Sequence, residues 1–141
     1  MEDLLNPRHC VSNTLHQTAR AVNRVYSEEM RPLGVTRSQY SILAYLNAKA
    51  PIQVSRLATL LYMDRTTLSR NLKPLEKSGL LKVCPSETDR RAKELLLTRA
   101  GKAKYREATR AWRRAQKHIL ESFGENNWAD LEISLKRLRE S

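Results

Sequence analysis

Between Val54 and Leu75 the helical spacing of apolar residues is interrupted at only two positions, Tyr62 and Met63, and from Leu80 it gives way to a spacing of two. No other feature limits the possible folds as much. Val54, Leu57, Ala58 and Leu61 share one face of a brief helix, and Leu68, Leu72 and Leu75 share one face of the next. Asp64 is the expected N-terminal cap of that second helix and Gly79 its C-terminal stop. Pro74, deep in the helix, removes one backbone hydrogen bond and predicts a kink. Leu81 and Val83, then Leu95 and Leu97 beyond a polar Pro85 to Arg91 stretch, predict a two-stranded hairpin with a long turn.

Two short helices joined by a tight turn and followed at once by a hairpin make a winged helix-turn-helix. Longer helices are predicted on both sides. Val11, Leu15, Ala19, Val22, Tyr26 and Met30 form one stripe of a helix over Arg8 to Met30, which Pro32 and Gly34 end. Thr36 caps a helix carrying Tyr40, Leu43 and Leu46, and Ile52 and Gln53 read as a short strand after the loop from Asn47 to Pro51. Thr98 caps a helix with Tyr105, Ala108, Trp112, Ala115, Ile119 and Phe123 on its stripe; Gly124 stops it, and a last helix carries Trp128, Leu131, Leu135 and Leu138. The fold class is therefore mainly α, an α+β chain forming a single domain over residues 1–141. Residues 36–98 form the winged helix-turn-helix lobe, and residues 1–35 and 99–141 are expected to be dimerisation helices.

Lys and Arg number 26 against 15 Asp and Glu, a formal charge of +11, which makes a polyanion the first partner to consider. The excess is largest where the two short helices and the hairpin lie: residues 51–99 carry 10 basic and 5 acidic side chains. No apolar run approaches a membrane span, so no membrane partner is expected. Cys10 and Cys84 are far apart, and no basic leader followed by an apolar stretch opens the sequence, a pattern expected of the reducing cytoplasm. His9, His16 and His118 have no metal-binding spacing, the 4 Gly form no phosphate-cradling loop, and no catalytic constellation is visible. No metal, no cofactor and no enzymatic activity are expected.

The second short helix carries Arg65, Thr66, Thr67, Ser69, Arg70, Lys73 and Lys77 around its outer surface and first turn. Arg can bond guanine bidentately, Thr can touch a thymine methyl, and Ser and Lys can hold phosphates, so this face suits a B-DNA major groove. In the hairpin tip, Arg90 and Arg91 suit the narrow minor groove with its strong negative potential. Asp89 would repel phosphate and is expected instead to hold a neighbouring Arg through a charge-assisted bond.

The chain resembles the MarR (multiple antibiotic resistance) regulators. The resemblance rests on Ala19-Arg20-Ala21-Val22, Gly34-Val35-Thr36 through Gln39-Tyr40, Leu57-Ala58, Asp64 to Arg70, Leu72 to Leu75, Gly79-Leu80, Asp89-Arg90-Arg91 and Leu97-Thr98. It implies that the helix from Asp64 reads the major groove and that Arg91 enters the minor groove. It also implies a homodimer on a pseudopalindromic double-stranded DNA operator, usually a repressor, released by a small phenolic effector or by cysteine oxidation. Apolar stripes outside the lobe support a partner chain independently, with Leu4, Leu5, Val11, Trp112, Ile119, Phe123, Trp128, Leu131, Leu135 and Leu138 as interface candidates or as packing within one chain. Half-sites would then lie about 34 to 36 Å apart, one turn of DNA.

For sensing, Cys10 beside Arg8 and His9 is the redox candidate. The family's hydroperoxide-sensing branch, however, places its reactive cysteine where Ser12 stands here, and His16 replaces one of its supporting tyrosines, although Tyr26 matches the other. A ligand pocket is expected among His16, Arg20, Tyr26 and Tyr40, with core packing as the competing role of the two tyrosines. The competing function is an architectural protein that coats DNA through charge with little discrimination between sites.

Overall fold

The computed structural model describes residues 1–141. Two short 3-10 turns, Glu2–Leu5 and Pro7–His9, lead into helix α1, Val11–Met30. After Gly34 come α2 (Arg37–Lys49), strand β1 (Ile52–Gln53), α3 (Val54–Leu60) and α4 (Arg65–Lys77). Strands β2 (Leu81–Pro85) and β3 (Lys93–Leu97) follow, then α5 (Arg99–Phe123) and α6 (Glu125–Glu140). No helix is long and apolar enough to cross a membrane.

The first helix begins at Val11, three positions later than its apolar spacing predicts. Asn6 explains the difference: its side chain accepts from the Arg8 N–H at 3.0 Å and starts a separate turn with Pro7 at the first position. Cys10 then takes an extended backbone, which interrupts the helical run.

Two compact units result. The unit Met30–Arg110 holds α2 to α4, the sheet and the first three turns of α5. Its core is Met30, Ile42, Leu43, Leu46, Leu57, Leu68, Leu72, Leu75, Leu81 and Leu95, all buried. The three strands are antiparallel in the order β1-β3-β2, with Ile52 opposite Leu95, and Leu81 opposite Leu97 at the base of the hairpin. Thr36 caps α2 in a reciprocal box: its hydroxyl accepts from the Gln39 N–H at 3.1 Å and the Gln39 side chain accepts from the Thr36 N–H at 3.0 Å. The α5 end is capped by Thr98, whose Oγ1 accepts from the Gly101 N–H at 3.0 Å and donates to the Gly79 carbonyl at 2.6 Å. Gly101 itself lies so near the β2 entrance that a Cβ there would sit 1.9 Å from the Leu80 carbonyl oxygen.

The other unit comprises Met1–Glu29 and Ala111–Ser141. Here the Tyr26 hydroxyl donates to Gln116 Oε1, and Arg114 Nε donates to Glu29 Oε2 at 2.7 Å. Ala111 and Ala115 are fully packed on the inner side of α5.

Candidate nucleic-acid interface

Helix α4 is built to present a polar face. Asp64 caps it, its Oδ1 accepting from the Thr67 N–H at 2.7 Å and its Oδ2 from the Thr67 hydroxyl at 2.9 Å. These two bonds, the backbone one foremost, hold the Asp64 carboxyl below its ordinary pKa. Leu68, Leu72 and Leu75 anchor the helix in the core, leaving Arg65, Thr66, Ser69, Arg70 and Lys73 exposed on the opposite side. A shallow depression of about 540 Å³ runs along that face, lined by these five residues and Pro74. The helix continues through Pro74 to Lys77.

A larger groove of about 850 Å³ separates α4 from the hairpin. Arg65, Ser69 and Lys73 line one wall, and Asp89, Arg90, Arg91 and Lys93 line the other. Arg65, Arg70, Lys73, Arg90 and Arg91 are exposed and take no part in the ion pairs Lys104–Glu107, Arg114–Glu29 and Lys117–Glu121, and the groove's cations outnumber its two carboxylates, Glu76 and Asp89. A strand of phosphodiester would meet cations on both sides of this groove.

Of the residues singled out from sequence, Arg65, Ser69, Lys73, Asp89, Arg90 and Arg91 converge on the groove, while Thr66 and Arg70 stand on the neighbouring face of α4. Thr67 differs from its expected role as a base contact in one respect: it is half-buried, and its hydroxyl proton is committed to Asp64. The expected bond from Asp89 to a neighbouring Arg side chain is not formed. Asp89 Oδ1 accepts from the Arg91 backbone N–H at 3.0 Å, because a carboxylate two residues ahead closes a local turn more readily than it reaches a long guanidinium. The sequence reading missed Gln53, Ser55 and Lys93 on the groove wall. Lys93 was legible as a charge at a strand end; Gln53 and Ser55 belong to β1 and α3 and have no charge to flag them.

The remaining candidates lie elsewhere. Leu4, Leu5, Val11, Phe123, Leu131 and Leu138 are exposed, and Trp112, Ile119, Trp128 and Leu135 are half-buried. Ile133, 53% exposed, falls outside the predicted stripe and escaped notice. His16 and Arg20 are exposed on α1, where His16 Nδ1 lies 2.8 Å from the Ser12 carbonyl. Tyr40 is buried, stacked on Tyr105 with ring centroids 6.0 Å apart and bonded to Thr109 at 3.2 Å. Cys10 is exposed, and its Sγ accepts from the Asn13 N–H at 3.5 Å.

A family model described as the MarR family matches residues 33–92, the span from just before α2 to the wing tip. The HTH-type transcriptional regulator MgrA of Staphylococcus aureus is 32% identical over 99 residues, covering 70% of this chain and 67% of the relative. Among solved structures, the M. tuberculosis transcriptional regulator MosR in complex with DNA superposes with a TM-score of 0.82 at 32% identity, covering 92% of each chain. The transcriptional repressor CouR, bound to a 23-mer DNA duplex, superposes with a TM-score of 0.86 at 25% identity over 96% of each chain. A capped helix with a polar outer face, a basic wing beside it and these likenesses agree: the chain belongs to the MarR family of winged helix-turn-helix transcriptional regulators.

Proposed function

We propose that this regulator is a homodimeric, sequence-specific repressor that binds a pseudopalindromic operator in double-stranded DNA. One observation carries the reading: exposed cations of α4 and of the wing, in excess over Glu76 and Asp89, line the two walls of a single groove. In that reading Arg65, Thr66, Ser69 and Arg70 meet base edges in the major groove, Lys73 meets phosphate, and Arg90 and Arg91 enter the minor groove. MosR and CouR, both solved with DNA, support the polyanion being a duplex.

The dimer is supported by the exposed apolar side chains of one unit, Leu4, Leu5, Val11, Phe123, Leu131, Ile133 and Leu138, which a second copy would cover. A two-fold pair sets the reading helices one DNA turn apart, and an effector releases the operator only by favouring a dimer with another spacing.

The test uses a duplex selected by the wild-type protein from a random-sequence pool, alongside random DNA. Arg70→Ala and Arg91→Ala are expected to weaken binding to the selected duplex about 10- to 100-fold, the worth of a lost base contact, and binding to random DNA far less. Equal losses on both would establish the charge-only architectural protein in its place. Sedimentation is expected to give twice the 16.3 kDa chain mass.

A further inference from the structure

Tyr40 apart, every buried side chain is apolar except one: Ser86, 4% exposed, where β2 enters the wing tip. A buried hydroxyl is costly unless it is bonded, and this one is bonded on all sides. It donates to Glu94 Oε1 at 3.0 Å. Its oxygen accepts from the Thr88 and Asp89 backbone N–H groups, each at 3.3 Å. Its one proton is thus committed to Glu94, so the Thr88 hydroxyl, 3.1 Å away, is a third donor to it.

The bonds form a sequence that ends at Arg91. Glu94 lies in β3, the central strand, opposite Cys84 of β2 and Gln53 of β1, and is the part of the tip tied most firmly to the sheet. From there Glu94 holds Ser86, Ser86 holds the Asp89 backbone, and Asp89 Oδ1 holds the Arg91 N–H at 3.0 Å. Two backbone bonds close the same loop, Ser86 N–H to the Ala92 carbonyl at 2.9 Å and Ala92 N–H to the Asp89 carbonyl at 3.0 Å. Glu94 is not among the residues that line the cationic groove. Its half-buried carboxylate would repel phosphate as a DNA contact, and its Oε1 is engaged instead as the acceptor of the buried Ser86 hydroxyl.

We propose that Ser86 and Glu94 are positioning residues of the wing, setting through Asp89 the direction in which Arg91 enters the minor groove. The wing's preference for a narrow A·T minor groove is then a property of the Ser86–Glu94 pair as well as of Arg91. This rests on the assignment of Arg91 to the minor groove, and the experiment separates the two.

Wild-type protein and the variants Ser86→Ala, Glu94→Ala, Glu94→Gln and Arg91→Ala are measured on the selected duplex. Its A·T pairs beneath the wing are then changed to G·C or to inosine·C, which restores an A·T-like minor groove by removing the guanine amine. The expected result is a ratio of A·T to G·C affinity that falls about threefold or more in Ser86→Ala and Glu94→Ala, in keeping with the loss of one hydrogen bond in the network. Glu94→Gln keeps the ratio, because its amide oxygen still accepts, and discrimination at the bases beneath Arg70 stays at the wild-type level in all three. The proposal is overturned if Ser86→Ala and Glu94→Ala keep the wild-type ratio, if Glu94→Gln falls with Glu94→Ala, or if both kinds of discrimination collapse together. Should Arg91→Ala itself leave the ratio unchanged, the minor-groove assignment fails and the positioning role with it.

Discussion

The Asp64 carboxylate holds Thr67 twice, through the backbone N–H at 2.7 Å and the side-chain hydroxyl at 2.9 Å. Both bonds favour the ionised carboxylate, so its pKa in the folded chain lies below the ordinary value of 3.8. A lowered folded-state pKa stabilises above the unfolded value and loses that contribution as pH falls through the folded one. Asp64→Ala is therefore expected to lower the melting temperature at pH 7, and the gap between variant and wild type should close below about pH 3.8, as thermal melts across pH would show. Asp64→Asn, which still caps, is expected to lose less. A gap independent of pH would detach the effect from the carboxylate.

Replacing Gly101 by alanine puts a methyl group 1.9 Å from the Leu80 carbonyl oxygen, a backbone atom that cannot swing aside. Overpacking against main chain should cost about 3 kcal/mol, the upper part of the usual range. Calorimetry is expected to show a melting point roughly 10 °C lower. An unchanged melting point would mean that α5 does not approach β2 as closely as described.

Tyr40 tests whether a candidate ligand residue is a core residue. The Thr109 hydroxyl donates to the Tyr105 carbonyl at 2.7 Å, so the Tyr40 hydroxyl is the donor in the 3.2 Å bond to Thr109. Tyr40→Phe leaves the stack on Tyr105 intact and should cost about 1 kcal/mol in denaturant unfolding. Affinity for DNA without effector is expected to be unchanged.

Lys73 stands on the wall of the groove with no ion-pair partner. As a phosphate contact, it should weaken all sequences alike when changed to Ala and lower the slope of log affinity against log salt by about 1. Titrations at several salt concentrations on selected and random duplexes measure both.

Much of the fold was legible because the signals are local. Thr36, Asp64 and Thr98 cap the helices they precede, and the change of period at Leu80 places the hairpin. The start of α1 was not, because the apolar spacing before Val11 says nothing of the side-chain cap at Asn6 that diverts the chain. On α4, residue types pointed to the polar face, since its leucines leave only one side free. The wing was harder: Ser86 is a small polar residue in a polar stretch, and its importance arises only when the turn folds over it. Asp89 was expected to hold a neighbouring Arg side chain and instead holds a backbone N–H, that of Arg91, a difference set by turn geometry that composition does not carry.

The leucines of α4 have a consequence for how such a regulator diverges. Leu68, Leu72 and Leu75 hold the helix, while Arg65, Thr66, Ser69, Arg70 and Lys73 contribute nothing to the core. Exposed positions of this kind usually tolerate substitution within about 0.5 kcal/mol. If these five positions read the operator as proposed, a descendant of this chain can take up a new one by single changes there without losing stability on the way. Thr67, tied to the cap, is the position of that turn where the freedom stops.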